Sequence, residues 1–151
     1  LETLFVLVSD HTSGKKNTTL ARFSVPFTMF GAGIRAQYLD NIYHHQDIAP
    51  SILDVLGIDK PTHFLVQSIF KQHKERFSYY YTYNNLTWVE DNQLITINTT
   101  NNAISCYQHL VEKIPCQPEH TAMRDRALAF TSYTQELLYT GNTQDFVDIF
   151  K

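Results

Sequence analysis

Thr3-Leu4-Phe5-Val6-Leu7-Val8-Ser9-Asp10-His11-Thr12-Ser13-Gly14 is the stretch on which the reading of this chain turns. Thr3 to Val8 are apolar or β-favouring without alternation, which predicts a strand covered on both faces, as inside a parallel sheet. The run stops abruptly in polar residues. Successive side chains of a strand point to opposite faces, so Asp10 and His11 can converge only if the backbone turns as the strand ends. Ser9, Thr12, Ser13 and Gly14 permit such a turn. A carboxylate and an imidazole at the carboxyl end of a buried strand sit where open α/β sheets place their ligands, and oxygen plus nitrogen donors suit zinc or manganese. The ordinary alternative is an Asp10 that caps a turn beside a solvated His11.

Composition narrows the field. The 151 residues are one domain's worth, enough to bury a core. The chain has no initiator methionine and enters a buried strand at once, so it is expected to begin inside a larger fold. A net charge of −3, with scattered lysines and arginines, leaves no electrostatic footprint for nucleic acid. No apolar run approaches the roughly 20 residues that span a bilayer, and no signal-peptide pattern opens the chain. Any targeting segment would have to lie upstream. Cys106 and Cys116 are too few for a disulfide framework and lack metal-finger spacing. Two readings stay open: a pair in an oxidising compartment, or two small buried apolar groups.

Working outward, Lys15 to Leu20 reads as a polar loop, and Phe23 to Phe30 as a second strand that Pro26 confines to an edge or a strand start. Gly31-Ala32-Gly33 resembles half of a phosphate-binding loop, but the third glycine is missing, which predicts a tight turn. From Asp47 to Gly57 the sequence predicts a short helix: Asp47 as N-cap, Pro50 in the first turn, Gly57 just past the end, and Ile48, Ile52, Leu53 and Leu56 as one apolar stripe. His44 and His45 precede its positive end. Either is a candidate ligand or phosphate-facing donor, against the ordinary reading of a hydrogen-bonded loop histidine.

From Phe77 the pattern becomes a meander. Phe77 to Tyr83, Leu86 to Glu90, Gln93 to Asn98 and Ala103 to His109 are β-rich runs separated by Asn84-Asn85, Asp91-Asn92 and Asn101-Asn102. They predict a four-stranded antiparallel sheet. Phe77, Tyr79, Tyr81 and Tyr83 share one face. Packing against the last helix is the stronger expectation for this row, with a carbohydrate or lipid platform as the alternative. Pro115 to Glu119 reads as a linker, and Thr121 as the cap of a helix reaching about Tyr139, with Met123, Ala127, Phe130, Thr134, Leu137 and Leu138 near helical spacing and Gly141 as its stop. Phe146, Ile149 and Phe150 are expected to dock as a final turn.

Taken together, Thr3 to Gly14, Arg22-Phe23-Ser24-Val25-Pro26-Phe27, Phe30-Gly31-Ala32-Gly33-Ile34 and His45-Gln46-Asp47-Ile48-Ala49-Pro50-Ser51-Ile52-Leu53-Asp54-Val55-Leu56-Gly57 resemble the closing third of a sulfatase-type domain of the alkaline phosphatase superfamily. Within it the resemblance is closest to the lipoteichoic acid synthase-like phosphoglycerol transferases, which carry a similar strand-Asp-His element, Arg-x-x-x-Pro strand and Asp-Ile-x-Pro-Thr helix. Ser51 stands in place of the usual Thr, and Thr12 where many relatives have glycine. Gln67-Ser68-Ile69-Phe70 resembles the Gly-x-Ser-Leu-Phe that follows that helix. The motifs cover residues 1 to about 70; the later sheet and helix match in order and type only.

The resemblance implies an α/β fold, the C-terminal fragment of an alkaline-phosphatase-like α/β/α sandwich (residues 1–70), followed by the antiparallel sheet packed on the C-terminal helix (residues 71–151). It implies metal-centred transfer of a phospho or sulfo group, with Asp10 and His11 as metal ligands for Mn or Zn, Mg or Ca being alternatives. Thr12, Arg22, His44 and His45 are the candidates for substrate contact or support. Such an ion neutralises developing negative charge. The nucleophile, a Thr, Ser or modified Cys, and a further carboxylate ligand belong to an earlier segment, so the chain alone is expected to be inactive and to bind metal weakly. The implied partners are a phospholipid head group or a phospho- or sulfo-ester, which Lys15, Lys16 and Arg22 could also meet. The parent chain is expected to be membrane-anchored, at the extracytoplasmic face of the membrane or in the periplasm, and the fragment to oligomerise through its cut edge. A true sulfatase or phosphodiesterase of the same fold is the alternative, marked by Cys or Ser in a C/S-x-P-x-R context upstream. A non-catalytic binding module with a residual Asp-His element is the third reading.

Overall fold

The computed structural model describes residues 3–12, 23–31, 33–58, 64–71 and 76–141. Lys15, Lys16, Arg22 and the tail residues Phe146, Ile149 and Phe150 lie outside them.

The apolar run forms strand β1 (Leu4–Val8), paired in antiparallel register with β2 (Phe27–Gly31), from Leu4 against Gly31 to Val8 against Phe27. This corrects the expectation of a strand covered on both faces in a parallel sheet. Among the described residues β1 has β2 as its sole neighbour, and Phe5 and Leu7 are 50% and 59% exposed, Phe5 stacked on Phe30. Continuous hydrophobicity shows that a strand suits an apolar setting; it does not show which strand lies beside it. Pro26 falls where the sequence places it, just before β2. The tight turn after β2 is also present: Ile34 N–H donates to Gly31 O, and Gly31 sits at φ +88°, where a Cβ would run into the Thr3 carbonyl oxygen.

The predicted helix is shorter and begins differently. A single 3₁₀ turn, His45–Asp47, leads into α1 (Ile48–Val55), and Gly57 follows its end at φ +64°. Asp47 makes no side-chain cap on α1; its carboxylate accepts the backbone N–H of His44 instead. Leu56, assigned to the apolar stripe, is exposed.

The meander has five strands rather than four: β3 (Phe77–Thr82), β4 (Asn85–Glu90), β5 (Gln93–Asn98), β6 (Ile104–Gln108) and β7 (Glu112–Ile114), in sequential order. Three residues of Glu-Lys-Ile carry too little alternation to announce β7. What secures it is pairing to β6 and a disulfide from Cys106 to Cys116, which settles the cysteine alternatives as a pair.

Helix α2 (Pro118–Thr140) starts earlier than expected. Thr121 lies inside it, and its first turn is fastened by Gln117 N–H donating to His120 Nδ1. Pro118 therefore opens a helix where a linker was expected, because proline's missing N–H costs nothing there. Gly141, at φ +70°, ends it as expected.

α2 lies across β4 and β5. Leu86, Trp88, Ile95, Ile97 and Cys106 from one sheet face meet Met123 and Ala127, with Phe77, Tyr79 and Phe130 packed around them. Phe77 and Tyr79 thus pack on the helix as expected, whereas Tyr81 and Tyr83 point to solvent. The indole N–H of Trp88 donates to Glu90, which also receives Arg126 from α2. On the opposite sheet face Thr87, Val89 and Leu94 are also buried, and Phe23 stacks on Tyr80 at 3.8 Å. The sheet is therefore buried on both faces, with α2 on one and Phe23, ahead of β2, stacked on the other.

Among the described residues no helix is long and apolar enough to cross a membrane.

Candidate functional site

Beyond Val8 the backbone bends, as convergence requires. Ser9 Oγ donates to His11 O, and His11 N–H donates to Asp10 Oδ1, so the turn is held by its own side chains. The result brings Asp10 Oδ2 and His11 Nε2 within 3.5 Å. Both side chains are four-fifths exposed or more.

His11 is oriented. Its Nδ1 lies 3.0 Å from the Thr12 carbonyl oxygen, which can only accept, so Nδ1 carries the proton. In the neutral ring Nε2 then presents a lone pair to a carboxylate oxygen. A proton or a metal ion can bridge two acceptors held this close. Two ligands on a tetrahedral ion with bonds of 2.0–2.2 Å stand roughly 3.3–3.6 Å apart, which the observed spacing matches. The pair therefore fits two positions of a divalent ion, and the carbonyl behind His11 supplies the orienting bond that metal-binding imidazoles use. Among the described residues no group of three His, Cys, Asp or Glu converges, so the rest of a coordination shell is not assembled from them.

Asp10, His11 and Thr12 line a cleft of about 1380 Å³ between the β1–β2 ribbon, the segment leading into α1, and the sheet. Ser78, Tyr80 and Val89 enter its wall from β3 and β4. So does Leu110, from a turn between β6 and β7 in which His109 and Leu110 both have positive φ. None of these four was singled out in the sequence. A signal existed for Tyr80: aromatic residues at both parities of β3 require both faces to be covered.

The two histidines before α1 do different things. His44 is half-buried, stacked on the Tyr79 ring; its Nε2 meets Tyr79 O at 3.1 Å and its Nδ1 accepts from Gln46 N–H, so both nitrogens are committed within the fold. Burial holds its pKa below the usual imidazole range, against the opposing effect of the Tyr79 bond, with His45 adding slightly. His45 is exposed and places Nε2 3.1 Å from Ser9 O, in contact with the Asp-His element itself. Asp47, 5% exposed, has its carboxyl pushed up by burial, opposed by the His44 N–H and by Arg76. Ser51 is wholly buried; it donates to Asp47 O and accepts from Ile69 N–H, joining α1 to the Gln67–Phe70 segment.

With this geometry in hand, a comparison with solved structures finds a protein of the alkaline phosphatase superfamily from Vibrio parahaemolyticus at a TM-score of 0.75 and 18% identity. The match covers 93% of this chain and 36% of that one. The fold is thus a mixed α/β arrangement with antiparallel sheets and a C-terminal helix, equivalent to part of an alkaline-phosphatase-like fold; the chain spans about a third of the length of the protein it matches. No protein-family model matches the sequence, and no curated protein matches it.

Proposed function

We propose that this chain is part of a divalent-metal-dependent phospho- or sulfo-ester transferase or hydrolase, to which it contributes Asp10 and His11 as metal ligands. The observation that carries the reading is the pair itself: a carboxylate oxygen and an oriented imidazole nitrogen 3.5 Å apart, lining a cleft. The structural likeness to an alkaline phosphatase superfamily protein supports it.

The ion, Mn or Zn, supplies positive charge against which the charge of group transfer develops. Asp10 offsets the ion's own charge, and His11, fixed by the Thr12 carbonyl, adds a directional bond. The nucleophile and remaining ligands come from elsewhere in the full-length protein. On the strength of the motif resemblance the enzyme is a phosphoglycerol transferase of the lipoteichoic acid synthase type, acting on a phospholipid head group or related ester and anchored at the extracytoplasmic face of the membrane. The Cys106–Cys116 disulfide supports an oxidising compartment.

The test uses the full-length protein with a nitrophenyl phosphodiester and added Mn²⁺. Asp10→Ala and His11→Ala are each expected to lower kcat/KM by at least ~100-fold, since losing even a ligand's hydrogen-bond partner costs about 10–100-fold. Variants as active as the parent would overturn the reading. Turnover of nitrophenyl sulfate in place of the phosphodiester would move the assignment to a sulfatase.

A further inference from the structure

We infer that His45 is the positioning residue of the Asp10–His11 pair, an inference that rests on the metal-site reading above. The pair stands at the end of a two-stranded ribbon, and both side chains are largely in water, so packing does little to fix their directions. Hydrogen bonds must do it: His11 N–H to Asp10 Oδ1 and His11 Nδ1 to Thr12 O set the side chains locally, and the bonds that hold the backbone from which they project converge on Ser9. Its N–H donates to Pro26 O next to β2, its hydroxyl donates to His11 O, and its carbonyl oxygen lies 3.1 Å from His45 Nε2. A carbonyl accepts only, so the imidazole donates.

This third bond differs from the other two. It spans 36 residues and ties the ribbon to the 3₁₀ turn that opens α1. That turn is itself fixed: His44 N–H donates to the buried Asp47 carboxylate, and the His44 ring is stacked on Tyr79 of β3. Through His45 the residue that launches the pair is thus referenced to the sheet as well as to β2. Without it the ribbon keeps its local turn and the Phe23–Tyr80 stack ahead of β2, but the Ser9 end loses its own tie to the segment that opens α1, and an ion would have to order both ligands as it binds. Groups bonded directly to a ligand change metal affinity by about 10–100-fold, and His45, which acts one step further out through Ser9, is expected at the lower end of that range, about 10-fold.

The experiment measures Mn²⁺ binding, with the metal alone, to the full-length protein by the free-ion resonance signal. His45→Ala, His45→Gln and Asp10→Ala are compared, alongside thermal midpoints and amide exchange over residues 3–12. Glutamine places an amide nitrogen near the Nε2 position. Expected are about 10-fold weaker binding in His45→Ala, recovery in His45→Gln to within about 3-fold, and faster exchange over residues 3–12 in His45→Ala alone, metal or no metal. If His45→Ala binds Mn²⁺ like the parent while Asp10→Ala does not bind, the positioning role is wrong and the metal site stands. If His45→Ala and His45→Gln weaken binding equally, in step with a lower thermal midpoint, His45 is only structural and the inference falls. If Asp10→Ala still binds Mn²⁺ at the same affinity, the metal-site reading fails and takes this inference with it.

Discussion

Ser51 shows how much one buried hydroxyl can hold. It has no exposed surface and is shared between a carbonyl of its own helix and the Ile69 N–H. Ser51→Ala leaves that N–H buried without a partner, which costs about 1–3 kcal/mol, read as a lower urea midpoint at unchanged slope. Ser51→Thr keeps the hydroxyl and is the matched control. His44 and Asp47 make opposite statements about pH. The folded state holds the His44 pKa below 6.5, so between that depressed value and 6.5 the unfolded chain binds more protons, and stability falls as pH drops through the window. The folded state holds Asp47 above 3.8, so from 3.8 up to that raised value the folded chain binds more protons, and stability rises as pH drops through this window. A thermal-midpoint series from about pH 8 to about pH 5 should therefore decline on the acid side, with His44→Gln flattening the decline. At this scale the sequence was legible where the partners are contiguous. Asp10 and His11 are adjacent, and the residues around them permit the turn that convergence needs. The links from His45 to Ser9 and from Ser51 to Ile69 cross 36 and 18 residues, and no local pattern encodes them.

Elements were legible in proportion to their length and punctuation. The turn at Asp91-Asn92 and the stop at Gly141 follow from an Asp that accepts positive φ and from glycine, whereas the first hairpin turn falls at Tyr83-Asn84, one residue before the expected Asn84-Asn85, with the positive φ on Tyr83 and Asn85 already in β4. Two elements escaped. β7 is too short to show periodicity, and the start of α2 is hidden because Pro118 and the His120 imidazole fasten a first turn in which Thr, Ser or Asp would be sought. Both flank the disulfide, which ties buried Cys106 on β6 to Cys116 just ahead of α2. With the cysteines 10 apart in sequence, chain entropy gives the link about 3 kcal/mol. Cys106→Ala/Cys116→Ala should lower the guanidinium midpoint accordingly, and amide exchange should quicken in β7 and the first turn of α2 before it does in β4 and β5. Equal midpoints for the parent and the double variant would refute that contribution.

For the whole molecule, the contrast between its two halves decides what the chain can do alone. β4 and β5 are buried on both faces, so the sheet and α2 have a complete core. Among the described residues the β1–β2 ribbon is largely uncovered: Phe5, Leu7, Val8 and Phe30 are exposed, and the Asp10–His11 pair at its end offers two of the four donors that the proposed tetrahedral ion would take. Both donors are already hydrated, so binding exchanges bulk water for only two protein bonds and must immobilise two solvent-facing side chains to do so. The 151-residue chain should accordingly bind Mn²⁺ or Zn²⁺ more weakly than micromolar in calorimetric titration and should not turn over a nitrophenyl phosphodiester. What little binding there is should disappear in Asp10→Ala. Submicromolar affinity in the chain alone would mean that residues outside the described set close the shell, and turnover that vanishes in Asp10→Ala would mean that the catalytic machinery is already complete within these residues. The weak-binding outcome instead supports the proposal that the site is completed by donors beyond the Asp10–His11 pair.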